Sequence, residues 1–342
     1  MHRGTQLRPS GAEGNSDNFR CPYHGWTWDL EGALTDLSCD WDFPHVKAEE
    51  FALPEVQVGH WGGFVFINID PDCVPLNDYL GVLPRHFENW PVQDRYAVAH
   101  IEKTLPANWK ASQEAFLEAY HILETHPEAL PYAGDANAQY DTFGDHISRF
   151  VQLLGSPSPH MDGKFSEEDV LHMMGGFPEG TPIPEGKTAR NLIADNMRKA
   201  TADEFGADLS YYSDSETLDS IEYFVFPNMF VFPGINISVI YRFRPDGIDP
   251  DSSIMDILLM KPVPDDGPRP DHADIVRLDV EDSYTMVEEL GGLGFVFDQD
   301  TANLDMQQKG FKAAKKRGQT LGNYQEIRAR HMHKVLDKYL SA

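Results

Sequence analysis

The sequence has little cysteine, few basic residues and no long apolar segment. Its 342 residues include 3 Cys, 28 Lys and Arg, and 55 Asp and Glu, which gives a formal net charge of −27 at pH 7. Three cysteines without a pairing framework suit a reducing compartment, so a cytoplasmic location is expected. The shortage of basic residues argues against nucleic acid or an anionic membrane surface as a partner. Without a run of about 18 apolar residues or a signal-peptide core, no membrane span is expected.

An acidic residue followed by two histidines forms the first chemical pattern. Glu118, His121 and His126 lie in the stretch 108–127, which is predicted to be helical almost to its end. Residues three apart share one helical face, so Glu118 and His121 should point the same way. Pro127 disfavours helical backbone at His126, so the helix should end there and let the second imidazole turn toward the first. Two imidazoles and a carboxylate with open positions form the ligand set of non-haem Fe(II) oxygenases.

The carboxylate that would complete this set is expected far along the chain. After the apolar run 294–297, Asp300 is predicted to lie at the start of a helix that continues to about residue 316. With 14 His and 55 acidic residues in the chain, the pattern alone is weak evidence for a metal site. A zinc protein, hydrolytic or structural, with the same three ligands is an alternative.

A second pattern combines a thiolate with imidazoles. In Cys21-Pro-Tyr-His24-Gly-Trp, two residues separate the cysteine from the histidine in a loop bounded by glycine and aromatic residues. A thiolate and an imidazole suit zinc or a Rieske-type [2Fe–2S] centre, in which two His replace two Cys on one iron. His2, in His2-Arg-Gly, would supply the partner imidazole.

These motifs follow one another in an order that extends along most of the chain. On them, the chain resembles the large (α) subunit of a Rieske non-haem iron aromatic-ring-hydroxylating oxygenase. The segments that carry the resemblance are His2-Arg-Gly, Cys21-Pro-Tyr-His24-Gly-Trp, Trp61-Gly-Gly-Phe-Val-Phe-Ile-Asn, the stretch 108–127, Phe226-Pro-Asn-Met, Tyr241-Arg-Phe-Arg-Pro-Asp-Gly, and Asp300 to Gln308.

The resemblance implies a role for each candidate residue. Glu118 would take the place of the acidic residue, usually Asp, that bridges one subunit's cluster to the neighbouring subunit's iron. Asp300 is preferred over nearby acids such as Asp298 and Asp305. Its spacing to Gln308 matches the family pattern. The catalytic Fe(II) would be held by His121, His126 and Asp300, and the cluster by His2, Cys21 and His24.

The amino terminus departs from the family pattern. The family's first cluster motif is Cys-x-His-Arg-Gly, whereas this sequence begins Met1-His2-Arg-Gly, so the first Cys would precede Met1. Cys39 and Cys73 lack the spacing of a cluster loop. We therefore expect a misplaced start or a partial sequence. With three of the four ligands, we expect the cluster not to assemble on the chain as written, which makes an inactive fragment an alternative.

The expected fold class is α+β. Residues 1–46 are predicted to form a truncated all-β Rieske domain, and residues 47–342 are predicted to form the catalytic domain. The clearest strand patterns lie in 221–262. Helices over about 278–290 and 300–340 are predicted to pack on their antiparallel sheet. The resemblance implies that this domain is a helix-grip (START-like) fold around a mostly apolar pocket.

The implied activity is O2 activation at mononuclear Fe(II) to hydroxylate a hydrophobic, aromatic substrate, as in aromatic hydrocarbon catabolism. Electrons would come from NAD(P)H through a reductase or ferredoxin and the [2Fe–2S] cluster. Dioxygenation, monooxygenation and oxidative demethylation all stay open. Family subunits form rings, which implies a homotrimer or an assembly with a small β subunit.

Overall fold

The computed structural model describes residues 2–341 and divides into two compact units. The first unit ends at Leu76 and the second begins at Asn77. Met1, which takes the x position of the expected Cys-x-His motif, lies outside the described residues, as does Ala342. The boundary after residue 46, between a Rieske part and a catalytic part, stays a prediction.

The amino-terminal unit contains short antiparallel strands, the first three of which lie in the range 1–46 that was predicted to be all-β. These are β1 Phe19–Arg20, β2 Thr27–Trp28, β3 Leu34–Asp36, β4 Gln57–Trp61 and β5 Phe64–Asn68. The first three form one sheet in chain order, and β4 and β5 form a hairpin. The Trp28 indole nitrogen donates a hydrogen bond of 2.7 Å to the Phe51 carbonyl, which fixes the loop after β3.

The carboxy-terminal unit contains one large sheet. Its strands are β6 Arg95–Leu105, β7 Gln139–Phe143, β8 Ile147–Gln152, β9 Ser220–Val225, β10 Met229–Val231, β11 Val239–Asp246, β12 Asp249–Pro262 and β13 Ile275–Leu278. The spatial order is β13-β6-β12-β11-β10-β9-β8-β7. Neighbouring strands are antiparallel except β13, which runs parallel to β6. The strands predicted within 221–262 are confirmed as β9 to β12.

The described residues also form helices. They are α1 Leu76–Leu80, α2 Leu83–His86, α3 Trp109–Glu114, α4 Ile122–Thr125, α5 Glu167–Gly175, α6 Ala189–Phe205, α7 Asp214–Leu218, α8 Gly292–Ala302, α9 Leu304–Ala313 and α10 Ile327–Leu340. Within residues 2–341, none of them is long and apolar enough to cross a membrane.

Two of the predicted long helices are wrong in extent. The range 278–290 holds the end of β13 and two 3-10 turns, which Gly291 closes with a φ of 52°. The range 300–340 is interrupted, because α9 ends at Ala313 and α10 begins at Ile327. The connecting residues are mostly exposed and include Gly318 at a φ of 79°, so they bury too little apolar surface to continue a helix.

The main core lies between the sheet and α3, α8 and α10. Every second residue of β6 is buried, which places one face of the strand against the helices. Ala329, Met332 and Val335 of α10 bury one side of the last helix in the same core. Burial of this kind contributes about 25 cal/mol for each Å² of apolar surface removed from water.

A buried ion pair fastens α10 to the sheet. Arg328 is fully buried, and its Nη2 lies 2.6 Å from Oε1 of Glu222 on β9. This approach lies off the direction of an N–H···O hydrogen bond, so the attraction is mainly between the two charges. The same guanidinium donates to Ser148 Oγ and to the Leu117 carbonyl, each at 3.1 Å. Arg328 therefore links α10, β8, β9 and the turn after α3.

A second contact between α10 and α3 should make stability depend on pH. His333 Nε2 lies 2.5 Å from Glu114 Oε1, and this hydrogen bond raises the pKa of His333. A histidine whose pKa is raised in the folded state stabilises the fold when it is protonated. This stabilisation is complete at a pH below the ordinary histidine pKa, and it is lost as the pH rises through the raised pKa. We expect His333→Gln to lower the free energy of unfolding by about 0.5 kcal/mol at pH 6 and by less at pH 9.

Urea denaturation at the two pH values measures this difference. Glu114→Gln serves as the matched variant, since it removes the carboxylate and should show the same pH dependence. If both variants lose the same free energy of unfolding at pH 6 and at pH 9, the ion pair is not the cause of the loss.

Candidate metal centre

Three side chains from two distant segments meet in the carboxy-terminal unit. His126 Nε2 lies 2.7 Å from Asp300 Oδ1, and His121 Nε2 lies 3.3 Å from the same oxygen. Among residues 2–341, these three form the group of His, Cys, Asp or Glu ligand atoms that lie within 4.8 Å of one another. The side chains of His126 and Asp300 are 7% exposed and that of His121 is 26% exposed, so the group is open on the His121 side.

The sequence predicts one helix for the segment that carries the two histidines, but the structure has two short helices there. α3 ends at Glu114, and a turn leads to α4, which begins after His121. Glu118 Oε2 accepts a hydrogen bond of 2.9 Å from the His121 amide at this second helix start. Glu118 and His121 do meet as predicted, but the Glu118 carboxylate contacts the backbone amide and the ring of His121 in a turn instead of along a helix.

The predicted helix end before Pro127 is confirmed. α4 ends at Thr125, and His126 has φ −128° and ψ 55°, outside the helical region. The second imidazole therefore turns back toward the first, and the two ring centroids lie 5.4 Å apart. The proline thus has a direct consequence for the geometry of the site.

Asp300 lies in the last turn of α8, which corrects the prediction of a helix start. The apolar run before it is itself helical, because Gly294, Phe297 and Thr301 form one buried face at helical spacing. Asp298 points elsewhere and accepts a hydrogen bond of 2.9 Å from the Tyr284 amide. Asp305 is exposed and pairs with Lys309. Neither of these two acids belongs to the three-residue group.

Each imidazole has a side-chain oxygen within hydrogen-bond distance of its Nδ1 atom. His121 Nδ1 lies 2.9 Å from Glu118 Oε1, and His126 Nδ1 lies 2.8 Å from Gln299 Oε1. Metal-binding histidines usually donate the other ring N–H to such an acceptor, which fixes the tautomer and leaves the remaining nitrogen free for the metal. Gln299 was not found from the sequence, because an amide that acts through a tertiary contact has no spacing signal.

The electrostatics of the group suit a cation. Burial works against charge on His121, but hydrogen bonds to Asp300 and Glu118 outweigh it and raise the pKa of this imidazole to about 10. Burial likewise opposes charge on Asp300, and its contacts with the two histidines lower the pKa of the carboxyl. The site thus holds protons that a divalent metal ion would replace on binding. Two imidazole nitrogens and one carboxylate oxygen fit Fe(II) with open positions.

The amino-terminal unit brings the predicted cluster ligands into one loop region. The rings of His2 and His24 lie 4.8 Å apart, centroid to centroid. The backbone amides of His24 and Tyr23 donate to the Cys21 sulfur and lower the pKa of its thiol, which favours the thiolate that binds metal.

These residues fit part of a Rieske centre. His2 and His24 suit one iron and Cys21 suits the other, but a second thiolate is needed. Cys39 is exposed and Cys73 is half-buried, and both are free thiols. In the part of the chain that the structure describes, neither belongs to a metal-ligand group with these residues. The described residues thus supply three of the four ligands that a Rieske cluster needs.

Two protein-family models match the chain. The catalytic domain of the ring hydroxylating alpha subunit matches residues 87–342, and the Rieske [2Fe-2S] domain matches residues 1–45. Together they indicate a [2Fe–2S] cluster and a mononuclear Fe(II) as the cofactors.

Similar proteins include oxygenase subunits with different substrates. The glycine betaine monooxygenase oxygenase subunit of Pseudomonas aeruginosa (strain UCBPP-PA14) is 32% identical over 133 residues, 38% of this chain and 30% of that protein. The chlorobenzene dioxygenase subunit alpha of Cupriavidus sp. (strain PS12) is 33% identical over 132 residues, 36% of this chain and 29% of that protein. The matched segment thus spans less than a third of either relative.

A solved structure supports the fold. The quaternary ammonium Rieske monooxygenase CntA in complex with L-carnitine matches with a TM-score of 0.59 and 17% identity, over 98% of this chain and 75% of that one. At this identity the likeness shows the architecture alone. It agrees with the α+β fold predicted from the sequence.

Proposed function

Because the chain belongs to the ring hydroxylating alpha subunit family, we propose that it is an oxygenase subunit with Fe(II) at His121, His126 and Asp300. Its proposed reaction is hydroxylation of a hydrophobic, aromatic substrate with O2. The observation that carries this proposal is the convergence of two anchored imidazoles on one carboxylate oxygen. When bound there, Fe(II) would supply the redox chemistry that activates O2.

The proposed reaction balances with two external electrons. In ring dihydroxylation, the substrate takes both oxygen atoms of O2 together with two electrons and two protons, and a cis-dihydrodiol forms. In monohydroxylation, one oxygen atom enters a C–H bond and the other leaves as water, with the same electrons and protons. NAD(P)H would supply the electrons through a ferredoxin or reductase, and the working assembly would be a ring of subunits.

The surroundings of Asp300 suit an apolar reactant. Phe297 lies one turn before Asp300, and its ring centroid lies 5.6 Å from that of Tyr241 and 5.4 Å from that of Tyr284. Burial, followed by the charges of Glu222 and Asp300, raises the pKa of Tyr241 well above its ordinary value, so the phenol stays neutral. These buried aromatic side chains would exclude water from the Asp300 side of the metal.

Oxidative demethylation of a quaternary ammonium compound is the second candidate. The similarity to a glycine betaine monooxygenase subunit favours it, and aromatic faces can hold such a cation. Here one oxygen atom would enter an N-methyl C–H bond and the other would leave as water. The resulting N-hydroxymethyl group would then break down to a tertiary amine, formaldehyde and a proton.

Glu118 is proposed to hold the proton on His121 Nδ1 and to couple this site to its electron donor. Provided that the Rieske domain is restored, we expect Glu118→Ala to keep its iron at saturating Fe(II) and to lose about 10- to 100-fold in turnover with the native electron donor. Glu114→Ala, a few residues earlier and paired with His333, is the matched control and should keep its turnover. Iron content and product formation measure the two effects. Full turnover in Glu118→Ala would exclude the role.

The proposed function is tested with Fe(II)-loaded protein, ¹⁸O2, and ascorbate with a small redox mediator as the electron source, so that the assay does not depend on a cluster. Naphthalene, chlorobenzene, glycine betaine and L-carnitine are offered in turn. Labelled hydroxylated ring product, absent from Asp300→Ala, supports the first candidate. Formaldehyde from glycine betaine or carnitine selects the second. Substrate turnover with Zn(II) and without O2 would instead support a hydrolytic metalloprotein.

A further inference from the structure

A small cavity lies where β6 begins and β12 ends. Its volume is about 50 Å³, and it is lined partly by apolar residues such as Leu209, Ile235 and Met260. The polar side chains that line it come from strand ends and from the α6–α7 region: Asp94, Arg95, Thr201, Tyr211, Tyr212, Ser238 and Lys261. This cavity plays no part in the proposed oxygenase site.

Arg95 is buried in the cavity wall without a carboxylate partner. Arg95 is 8% exposed. The guanidinium donates to Tyr212 Oη at 2.9 Å, to Ser238 Oγ, and to the carbonyls of Pro233 and Gly234. All four acceptors are neutral, and no ion pair within 4.0 Å involves Arg95 in the described chain. A buried charge in this position is costly unless an anion is nearby.

Two hydroxyl groups next to Arg95 can each still donate a hydrogen bond. Tyr212 Oη and Ser238 Oγ each accept from the guanidinium, and the Tyr212 hydroxyl also shares a hydrogen bond with Tyr211. A hydroxyl that accepts one hydrogen bond can still donate its own hydrogen to another acceptor. Both groups line the cavity, so the wall offers donors where a ligand oxygen could sit.

Lys261 is a second basic residue in the lining of the cavity. Burial, more than any neighbour, lowers the pKa of its ammonium group, and the charge of Arg95 lowers it further while Glu204 raises it. Its Nζ lies 5.3 Å from the Phe205 ring centroid. In the described residues neither Arg95 nor Lys261 forms an ion pair within 4.0 Å, although Asp94 lines the cavity and the charge of Glu204 acts on Lys261.

The cavity is separate from the candidate metal centre. The charge of Asp300 contributes to the raised pKa of Tyr241. Tyr241 pairs with Ile257 on β12, and Ile257 pairs with Ile101 on β6. Arg95 lies six residues before Ile101 on that strand. At about 3.3 Å per residue, this corresponds to about 20 Å along the strand.

We propose that this cavity is a binding site for a small monocarboxylate anion. Arg95 and Lys261 would neutralise the carboxylate, and the hydroxyls of Tyr212 and Ser238 would donate to its oxygens. The apolar part of the wall would cover a short hydrocarbon group. Asp94, also in the wall, favours a singly charged ligand over phosphate because it would repel a second negative charge.

Calorimetric titration of the full chain with sodium propionate, and separately with inorganic phosphate, tests the proposal without any need for iron. We expect saturable propionate binding that weakens about tenfold in Lys261→Gln and severalfold in Ser238→Ala. Lys199→Gln, which removes an exposed lysine paired with Asp203, is the matched control and should bind like the unmodified chain.

Each outcome decides the question. No saturation with propionate up to about 10 mM, or equal binding by Lys261→Gln, would overturn the site. Tighter binding of phosphate than of propionate would overturn the carboxylate assignment. Thermal unfolding of each variant verifies that it is folded. If Lys261→Gln does not fold, Ser238→Ala still tests the site.

Discussion

Asp300→Ala is expected to abolish iron binding. The Asp300 carboxylate oxygen lies within 3.3 Å of both imidazole Nε2 atoms, so its removal takes away the one anionic ligand and the group that both histidines face. Anaerobic loading with Fe(II) followed by removal of excess metal should leave about one iron at this site in the unmodified chain and almost none in the variant. O2-dependent turnover should disappear with the metal.

The control for this experiment lies on the neighbouring helix. Asp305→Ala removes an exposed carboxylate that pairs with Lys309 and should leave iron binding unchanged. Circular dichroism of both variants separates metal loss from unfolding. If Asp300→Ala keeps its full iron, the ligand assignment is wrong. If both variants lose iron, the loss reflects general destabilisation instead.

Arg328→Met is expected to have the largest effect on stability. It leaves the Glu222 carboxylate buried without the cation that lies 2.6 Å away, and it also removes the donor to the Leu117 carbonyl. Breaking one partner of a buried pair costs about 3–5 kcal/mol, a large share of the stability of an ordinary domain. Urea denaturation of the metal-free chain measures this loss.

The loss should depend on pH. Burial raises the pKa of Glu222 to about 7 even beside Arg328, so the carboxyl is largely protonated at pH 5 and ionised at pH 8. The cost of Arg328→Met should therefore be larger at pH 8, where the orphaned group must either stay charged in the core or take up a proton.

Two further variants distinguish charge from packing. Glu222→Met combined with Arg328→Met replaces the pair by apolar side chains and should recover at least half of the loss. Lys199→Met, which breaks an exposed pair, should cost less than about 1 kcal/mol. A single-variant loss as small as that of Lys199→Met would show that the buried pair does not stabilise α10 as described.

The sequence predicted the members of the candidate metal group better than the elements that carry them. His121, His126 and Asp300 were expected to meet, and the structure brings them together. The local structure differs from the prediction: Glu118 contacts His121 in a turn between two short helices, and Asp300 lies in the last turn of a helix instead of the first. Short helices depend on tertiary packing more than on propensity, so their limits are poorly encoded locally.

Residues that act through distant contacts could not be predicted. Gln299 supports His126, and Arg328 supports Glu222, across large separations in sequence. Neither pair has periodicity or a motif to reveal it. Arg95 and Lys261 likewise come together only when β6 and β12 pair. Proline and glycine effects were easier to predict, as the helix end before Pro127 shows, because they act on the adjacent backbone.

X-ray absorption at the iron edge of the anaerobically Fe(II)-loaded chain tests the central claim most directly. We expect a first shell of nitrogen and oxygen only, with outer-shell scattering from the imidazole rings of His121 and His126. This signal should be lost in Asp300→Ala. A first shell dominated by sulfur, or imidazole scattering that persists in Asp300→Ala, would contradict the claim.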